Sequence, residues 1–224
     1  MRYVVIGPLV RGMTMLSVTG REHVPPDGQA AIIASNHLSF LDSMVIPLAS
    51  GRRVSFLGKA EYFRGTGLSG AFVKAWMRSL GTIPVERADA RAAADSLAVA
   101  ERVLAEGGAF GIYPEGTRSR DGRLHRGRTG VARLALASRA PIIPCAVRGT
   151  DRVQPPDARL PRPAKVRVSF GPPVDVASLE AQFVKARLLR AITDAVTDAI
   201  GAMSGQERSG RYASDVNAEL EGSS

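Results

Sequence analysis

The chain has 224 residues, 45% hydrophobic and 23% charged, with 30 Lys and Arg against 21 Asp and Glu for a net charge of +9. That length suits one domain with a sizeable core, and the charge suits an anionic partner: a phosphate-bearing substrate, an anionic membrane or nucleic acid. The single cysteine, Cys145, excludes an internal disulfide, and no run approaches the ~18 apolar residues that a membrane-spanning helix needs.

Residues 1–17 place Val5, Leu9, Met13 and Leu16 at helical spacing beside Arg2 and Arg11. This fits a helix packed on the core or an interfacial helix lying on lipid. No small-residue cleavage site follows, so a secretory signal is not expected. Residues 30–34 read as a short buried strand, with a helix starting near Ser39. Residues 54–57 are a strand, 68–80 a helix, and 82–85 a strand with Pro84 at an edge or bulge. Residues 88–106 form the clearest helix, stopped by Gly107-Gly108. A strand over 109–113, a helix over 130–138 and a buried strand over 141–147 follow, the last holding Cys145 as a core thiol. Residues 165–170 alternate as a half-exposed strand does, and 177–203 read as a closing helix. The expectation is one domain over 1–203 of α/β class, a mixed, largely parallel sheet layered with helices, then a polar, mobile tail over 204–224.

Three histidines occur, and only His37, in Asn36-His37-Leu38-Ser39-Phe40-Leu41-Asp42, has a carboxylate at a defined short spacing. His23 sits in a turn, and His125 in an Arg-rich loop where solvation is expected. On a regular helix five residues separate two side chains by about 140°, from ~3.6 residues per turn. His37 and Asp42 therefore meet only if His37 lies in the turn before the helix. Ser39 to Asp42 also fits a capping box, so Asp42 has a purely structural alternative. Where the two do meet, the carboxylate fixes the imidazole tautomer and leaves the other ring nitrogen free to take a hydroxyl proton. No protein nucleophile is evident.

Tyr113-Pro114-Glu115-Gly116-Thr117-Arg118-Ser119 follows another strand, and Gly116 lets backbone approach a ligand closely. Arg118, and Arg87 at the end of Gly81 to Arg87, are cations suited to gripping phosphate. Glu115 could orient Arg118 or bind an acceptor hydroxyl. Arg120, Arg123, Arg126 and Arg128 continue the basic loop, as a solvated segment or a gate that meets phosphate or coenzyme A. Residues 51–80 interleave Arg52, Arg53, Lys59, Arg64, Lys74 and Arg78 with Phe56, Tyr62, Phe63, Phe72 and Trp76, against one acid, Glu61. This suits an anionic membrane surface or single-stranded nucleic acid, and the apolar N-terminal segment favours lipid.

These blocks together resemble the glycerophospholipid acyltransferases, the group containing the 1-acyl-sn-glycerol-3-phosphate acyltransferases. Asn36 to Asp42 is similar to their first signature block, Gly81 to Arg87 to the second, Tyr113 to Ser119 to the third, and Pro141-Ile142-Ile143-Pro144 to the fourth. All four stand in the family's order. The resemblance implies His37 as catalytic base with Asp42 as its partner, and Arg87, Glu115, Gly116, Thr117 and Arg118 around the acceptor phosphate. It also implies acyl-CoA or acyl-carrier protein as donor, a lysophospholipid acceptor, and no metal or resident cofactor. At the expected donor or gating loop, formed by Arg126 and Arg128, Arg126-Gly127-Arg128 stands where the family more often has Lys-Gly or Lys-Lys-Gly, a departure from its pattern. The expected enzyme is peripheral, on the cytoplasmic face of an anionic membrane, docked by its N-terminal helix, and makes phosphatidic acid from lysophosphatidic acid. Another lysophospholipid, glycerol-3-phosphate or a glycolipid is the alternative acceptor. A non-catalytic lipid- or nucleic-acid-binding module is the distant alternative, since it leaves His37, Asp42 and Glu115 unexplained.

Overall fold

A computed structural model of the chain describes residues 12, 14–59, 83–85, 90–155 and 162–222. The described strands are β1 (Ser17–Thr19), β2 (Ala31–Ser35), β3 (Val54–Lys59), β4 (Ile83–Val85), β5 (Ala109–Ile112), β6 (Ile142–Arg148) and β7 (Arg167–Phe170). The helices are α1 (Asp42–Ser50), α2 (Ala90–Ala105), α3 (Gly130–Ser138), α4 (Thr150–Val153), α5 (Val176–Gln182), α6 (Lys185–Ser204) and α7 (Ala213–Gly222). The strands form one sheet in the order β1-β7-β6-β2-β5-β3-β4. Pairing is parallel from β6 across to β4, while β7 runs antiparallel to β6 and carries β1 parallel to itself. The expected mixed, largely parallel α/β sheet is what forms.

The parallel centre reads as a continuous apolar run because both its faces are covered. Along β2, Ala31 and Ile33 enter one core with Val45, Phe56, Cys145 and Val147, while Ile32 and Ala34 enter the other with Phe110, Leu134, Ile192 and Val196. Helix α1 covers the first face through Met44, Val45, Ile46 and Ala49; α2, α3 and α6 cover the second. Pro84 pairs with Gly58 in β4, the outermost described strand, where a missing N–H is tolerated.

The elements differ from the sequence reading in several places. β1 and α4 are too short to show periodicity. The closing helix is two helices, because Phe183 and Val184 are extended and Lys185 turns through φ 49. The polar segment after Ser204 is not structureless: it contains α7 and lies on the loop over 118–128. Its polar side chains pair with that loop's arginines, which composition alone does not reveal. The expected helix over 68–80 and most of the N-terminal docking helix lie outside the described residues.

Candidate active site

β2 and β5 are parallel neighbours, with Ala34 opposite Ile112, so the turns leaving their carboxyl ends lie side by side. This is where open α/β sheets hold ligands. The first turn carries residues 36–41. Asn36 keeps the ladder closed as the backbone departs: its side-chain amide donates to Val147 O and its Oδ1 accepts from Val147 N–H, both at 2.8 Å. His37 then lies before the helix, which starts at Asp42 rather than near Ser39.

Asp42 is wholly buried and saturated. Its Oδ2 accepts from His37 Nδ1 at 2.8 Å and from the N–H groups of Leu38 at 2.7 Å and Ser39 at 2.8 Å. Its Oδ1 accepts from the Thr150 hydroxyl at 2.5 Å. The capping and pairing readings thus coexist, except that Asp42 caps the turn before it and not the helix after it. An ionised carboxylate only accepts, so the shared proton sits on Nδ1 and the Nε2 lone pair is left open. No described residue pairs with Nε2, and the His37 side chain keeps 17% exposure.

The second turn is stitched to the first. The Tyr113 ring stacks on His37 at 3.8 Å between centroids and 8° between planes. Its hydroxyl bonds Ser43 Oγ at 2.7 Å, and Phe56 supports it from 5.4 Å. Gly111 makes room for Phe56: a Cβ there would lie 2.1 Å from the ring. Burial, and then the Asp42 charge, push the Tyr113 hydroxyl well above its ordinary pKa, so it stays protonated. Ser119 N–H donates to His37 O at 2.8 Å, fixing Arg118 beside the histidine turn. Gly116 turns at φ 78, where a Cβ would press on the Arg128 stem at 3.3 Å.

Glu115 departs from expectation. It faces neither Arg118 nor an open pocket but is buried, with Oε1 accepting from His37 N–H at 3.1 Å and Oε2 from His125 N–H at 2.9 Å. It braces two loops against each other, because backbone donors reach it there and water does not. Burial lifts its carboxyl to about 7 despite the two N–H donors. His125 is likewise not solvated. Its ring is fully buried and its Nε2 meets Asp121 Oδ1 at 2.9 Å. Burial pushes the Asp121 carboxyl up, but hydrogen bonds from Arg123 N–H, His125 and Ser119 outweigh it and leave it below the ordinary range.

Of the residues singled out in sequence, His37, Asp42, Glu115, Gly116, Thr117 and Arg118 lie in these adjoining turns. Arg118, Arg126 and Arg128 are exposed; Arg87 lies outside the described residues. A family model described as Acyltransferase matches residues 15–148, which contain both turns. The chain belongs to this acyltransferase family.

Similar proteins agree with that assignment. The chain is 31% identical over 141 residues to 1-acyl-sn-glycerol-3-phosphate acyltransferase LPAT1, chloroplastic, of Arabidopsis thaliana, covering 62% of this chain and 38% of that one. It is 28% identical over 179 residues to the 1-acyl-sn-glycerol-3-phosphate acyltransferase of Borreliella burgdorferi, covering 80% and 69%. The chain thus spans well under half the length of the Arabidopsis protein. Its fold matches the crystal structure of the 1-acyl-sn-glycerophosphate (LPA) acyltransferase PlsC from Thermotoga maritima with TM-score 0.65 and 23% identity, over 90% of this chain and 80% of that one.

Sequence reasoning missed three contributors to the candidate site. Thr150 supplies the fourth hydrogen bond to Asp42 across 108 residues of chain. Tyr113 is the wall behind His37, a role that its place at the head of the third block does not reveal. Gln206, in the segment read as a tail, accepts from the Asn36 amide and donates to Gly122 O, each at 2.8 Å. No local motif marks Thr150 or Gln206. Among the described residues no helix is long and apolar enough to cross a membrane.

Proposed function

We propose that this acyltransferase moves a fatty acyl group from an acyl thioester to the free hydroxyl of lysophosphatidic acid, giving phosphatidic acid. The observation that carries the reading is His37 Nδ1 held at 2.8 Å on the buried Asp42 carboxylate, with Nε2 unpaired among the described residues. In this reading Nε2 takes the acceptor's hydroxyl proton as the hydroxyl oxygen attacks the thioester carbonyl. The tetrahedral intermediate collapses by breaking the carbon–sulfur bond, and the leaving thiolate recovers the proton from the imidazolium. Asp42 stabilises that imidazolium, while Tyr113 keeps the ring in plane. The thioester is already activated, so the scheme calls on no protein nucleophile, metal or resident cofactor.

The acceptor phosphate is assigned to Arg118, with Arg87 as its partner in the second block. Arg118 is exposed beside the histidine turn and has no side-chain partner among the described residues. Holding the phosphate makes attack effectively intramolecular. The net charge of +9 supports peripheral work on an anionic leaflet, which we place at the cytoplasmic face. The donor is acyl-CoA or acyl-carrier protein.

The test offers purified protein a thioester and a panel of acceptors, and follows thiol release and lipid product by mass spectrometry. H37A should abolish release. R118Q should raise the KM for lysophosphatidic acid, with a smaller effect on an acceptor lacking phosphate. Turnover by H37A near that of the parent ends the proposal. Equal rates for phosphorylated and unphosphorylated acceptors end the role given to Arg118, and preference for glycerol-3-phosphate or another lysophospholipid moves the assignment to that acceptor.

A further inference from the structure

The loop over 118–128 carries Arg118, Arg120, Arg123, Arg126 and Arg128, and the segment over 205–222 runs along it. The two join by backbone bonds: Leu124 N–H to Glu207 O, Ser209 N–H to Leu124 O and Arg126 N–H to Arg211 O, at 2.8 to 2.9 Å. Asn217 adds a side-chain bond to Arg118 O at 2.8 Å. The carboxylates on this segment are placed selectively. Glu221 pairs with Arg120 and Glu207 with Arg123, both at 2.8 Å, and Glu219 pairs with Arg211 of the segment itself.

Arg126 and Arg128 receive no carboxylate among the described residues. They converge instead on one ring, Tyr212, with their guanidinium carbons 5.4 and 5.0 Å from its centroid. Arg128 also donates to the Ser214 hydroxyl at 3.0 Å. Both arginines are exposed, so the ring's negative face gathers two cations without neutralising them. Arg128 N–H donates to Pro114 O at 2.7 Å and its stem lies against Gly116, so the pair sits next to the turn that stacks on His37. Two uncompensated guanidiniums held on a rigid aromatic are a receptor for phosphate oxygens.

We propose that Arg126 and Arg128, gathered on Tyr212 by the C-terminal segment, form a second anion clamp that takes the phosphates of coenzyme A, separate from the acceptor phosphate at Arg118. The inference rests on the acyl-transfer reading and deepens it by naming the donor carrier and the residues that hold it. It also gives the segment after Ser204, beyond the stretch matched by the family model, a part in the site.

The experiment uses the full chain, with R126Q/R128Q and Y212A as variants and R126K/R128K and Y212F as conservative controls. Binding of free coenzyme A and of pantetheine, which lacks the nucleotide phosphates, is measured by titration calorimetry at low and high salt. Initial rates are then measured against acyl-CoA and lysophosphatidic acid separately. Coenzyme A should bind the parent better than pantetheine, and less well as salt rises. R126Q/R128Q should lose about tenfold to 100-fold in coenzyme A affinity and in the KM for acyl-CoA, the scale of lost charge-assisted bonds. The KM for lysophosphatidic acid should stay within about twofold, and pantetheine binding should not change. Y212A, which keeps both charges but releases them, should fall between, and the conservative variants should recover most of the loss. Coenzyme A binding unchanged in both R126Q/R128Q and Y212A overturns the clamp while leaving acyl transfer standing. So does a parent that uses acyl-carrier protein and does not bind coenzyme A. A parent that binds coenzyme A through these residues yet transfers no acyl group keeps the clamp and removes the proposed reaction.

Discussion

Replacing Asp42 by asparagine separates the charge of this carboxylate from its hydrogen bonds. An amide with its oxygen at the Oδ2 position still accepts from His37 Nδ1 and from the N–H groups of Leu38 and Ser39, and its NH2 can donate to a Thr150 hydroxyl turned to accept. Stability should therefore change by about 1–2 kcal/mol, the scale of one altered hydrogen bond. What disappears is the attraction between carboxylate and imidazolium as the proton moves. At 2.8 Å, an effective dielectric constant of about 20 bounds that attraction at about 6 kcal/mol. Partial exposure of His37 screens it, leaving about 3–5 kcal/mol, or a fall of roughly 10²–10⁴ in kcat. Asp42→Ala should lose activity for a different reason. It strands two buried N–H donors and the Thr150 hydroxyl at about 1–3 kcal/mol each, a large share of a typical total stability of about 5–15 kcal/mol. The assay pairs steady-state thiol release with urea denaturation of both variants. D42N turning over within threefold of the parent would refute the charge argument, and D42A unfolding at the parental urea midpoint would refute the structural one.

Tyr113 and Glu115 give two further predictions. Y113F keeps the stack on His37 and loses only the bond to Ser43, so kcat should fall about twofold to tenfold, the scale of one neutral hydrogen bond; Y113A removes the wall as well and should cost well over tenfold, read in the same thiol assay. Equal activity in Y113F and Y113A contradicts a positioning role for the ring. The raised Glu115 carboxyl, about 7 against an ordinary 4.5, means the folded chain takes up that proton more readily than the unfolded one. The Glu115 contribution is therefore fully present below 4.5, declines through the window from 4.5 to 7, and above it is worse by roughly 3 kcal/mol. E115Q should flatten the change in urea midpoint between pH 5 and pH 8, and an unaltered pH dependence would contradict the burial argument.

Much of the fold was legible because the parallel centre is apolar on both faces and each strand is short and bounded. Residues 30–34, 109–113 and 141–147 fall on β2, β5 and β6 within a residue or so, and the helix over 130–138 coincides with α3. The meeting of His37 with Asp42 was legible only as one of two readings, since it required His37 to lie in the turn before the helix, which is where it sits. What stayed hidden depended on distant chain. Glu115 looked like a ligand-facing acid because sequence does not show that two N–H groups, from residues 37 and 125, converge on it. His125 looked solvated among arginines, yet it is buried because the loop folds inward and is covered from 205–222. That polar segment carries no apolar period; its hold on the domain is made of backbone pairs and charge, which composition cannot distinguish from a solvated tail.

Asn36 shows why this turn starts with an amide, and its replacement makes the sharpest structural prediction. β2 must leave the sheet at residue 36 to place His37 off the ladder, which would strand Val147 N–H and O, wholly buried in β6. A side chain carrying one donor and one acceptor at amide spacing substitutes for the missing backbone, and asparagine is the shortest that does. Aspartate has the same shape but no donor. N36D therefore faces a carboxylate oxygen toward Val147 O and toward Gln206 Oε1, where the asparagine amide donated to both at 2.8 Å. Desolvating that charge against an acceptor should cost at least ~3 kcal/mol, more than N36A, which leaves unpaired groups but no buried charge. Acid should rescue N36D, since a protonated aspartate regains one donor, so its stability deficit should shrink as pH falls below 6 while that of N36A stays constant. An N36D protein as stable as N36A at pH 8 would mean that Asn36 is not standing in for the ladder. The placement of His37 would then need another cause.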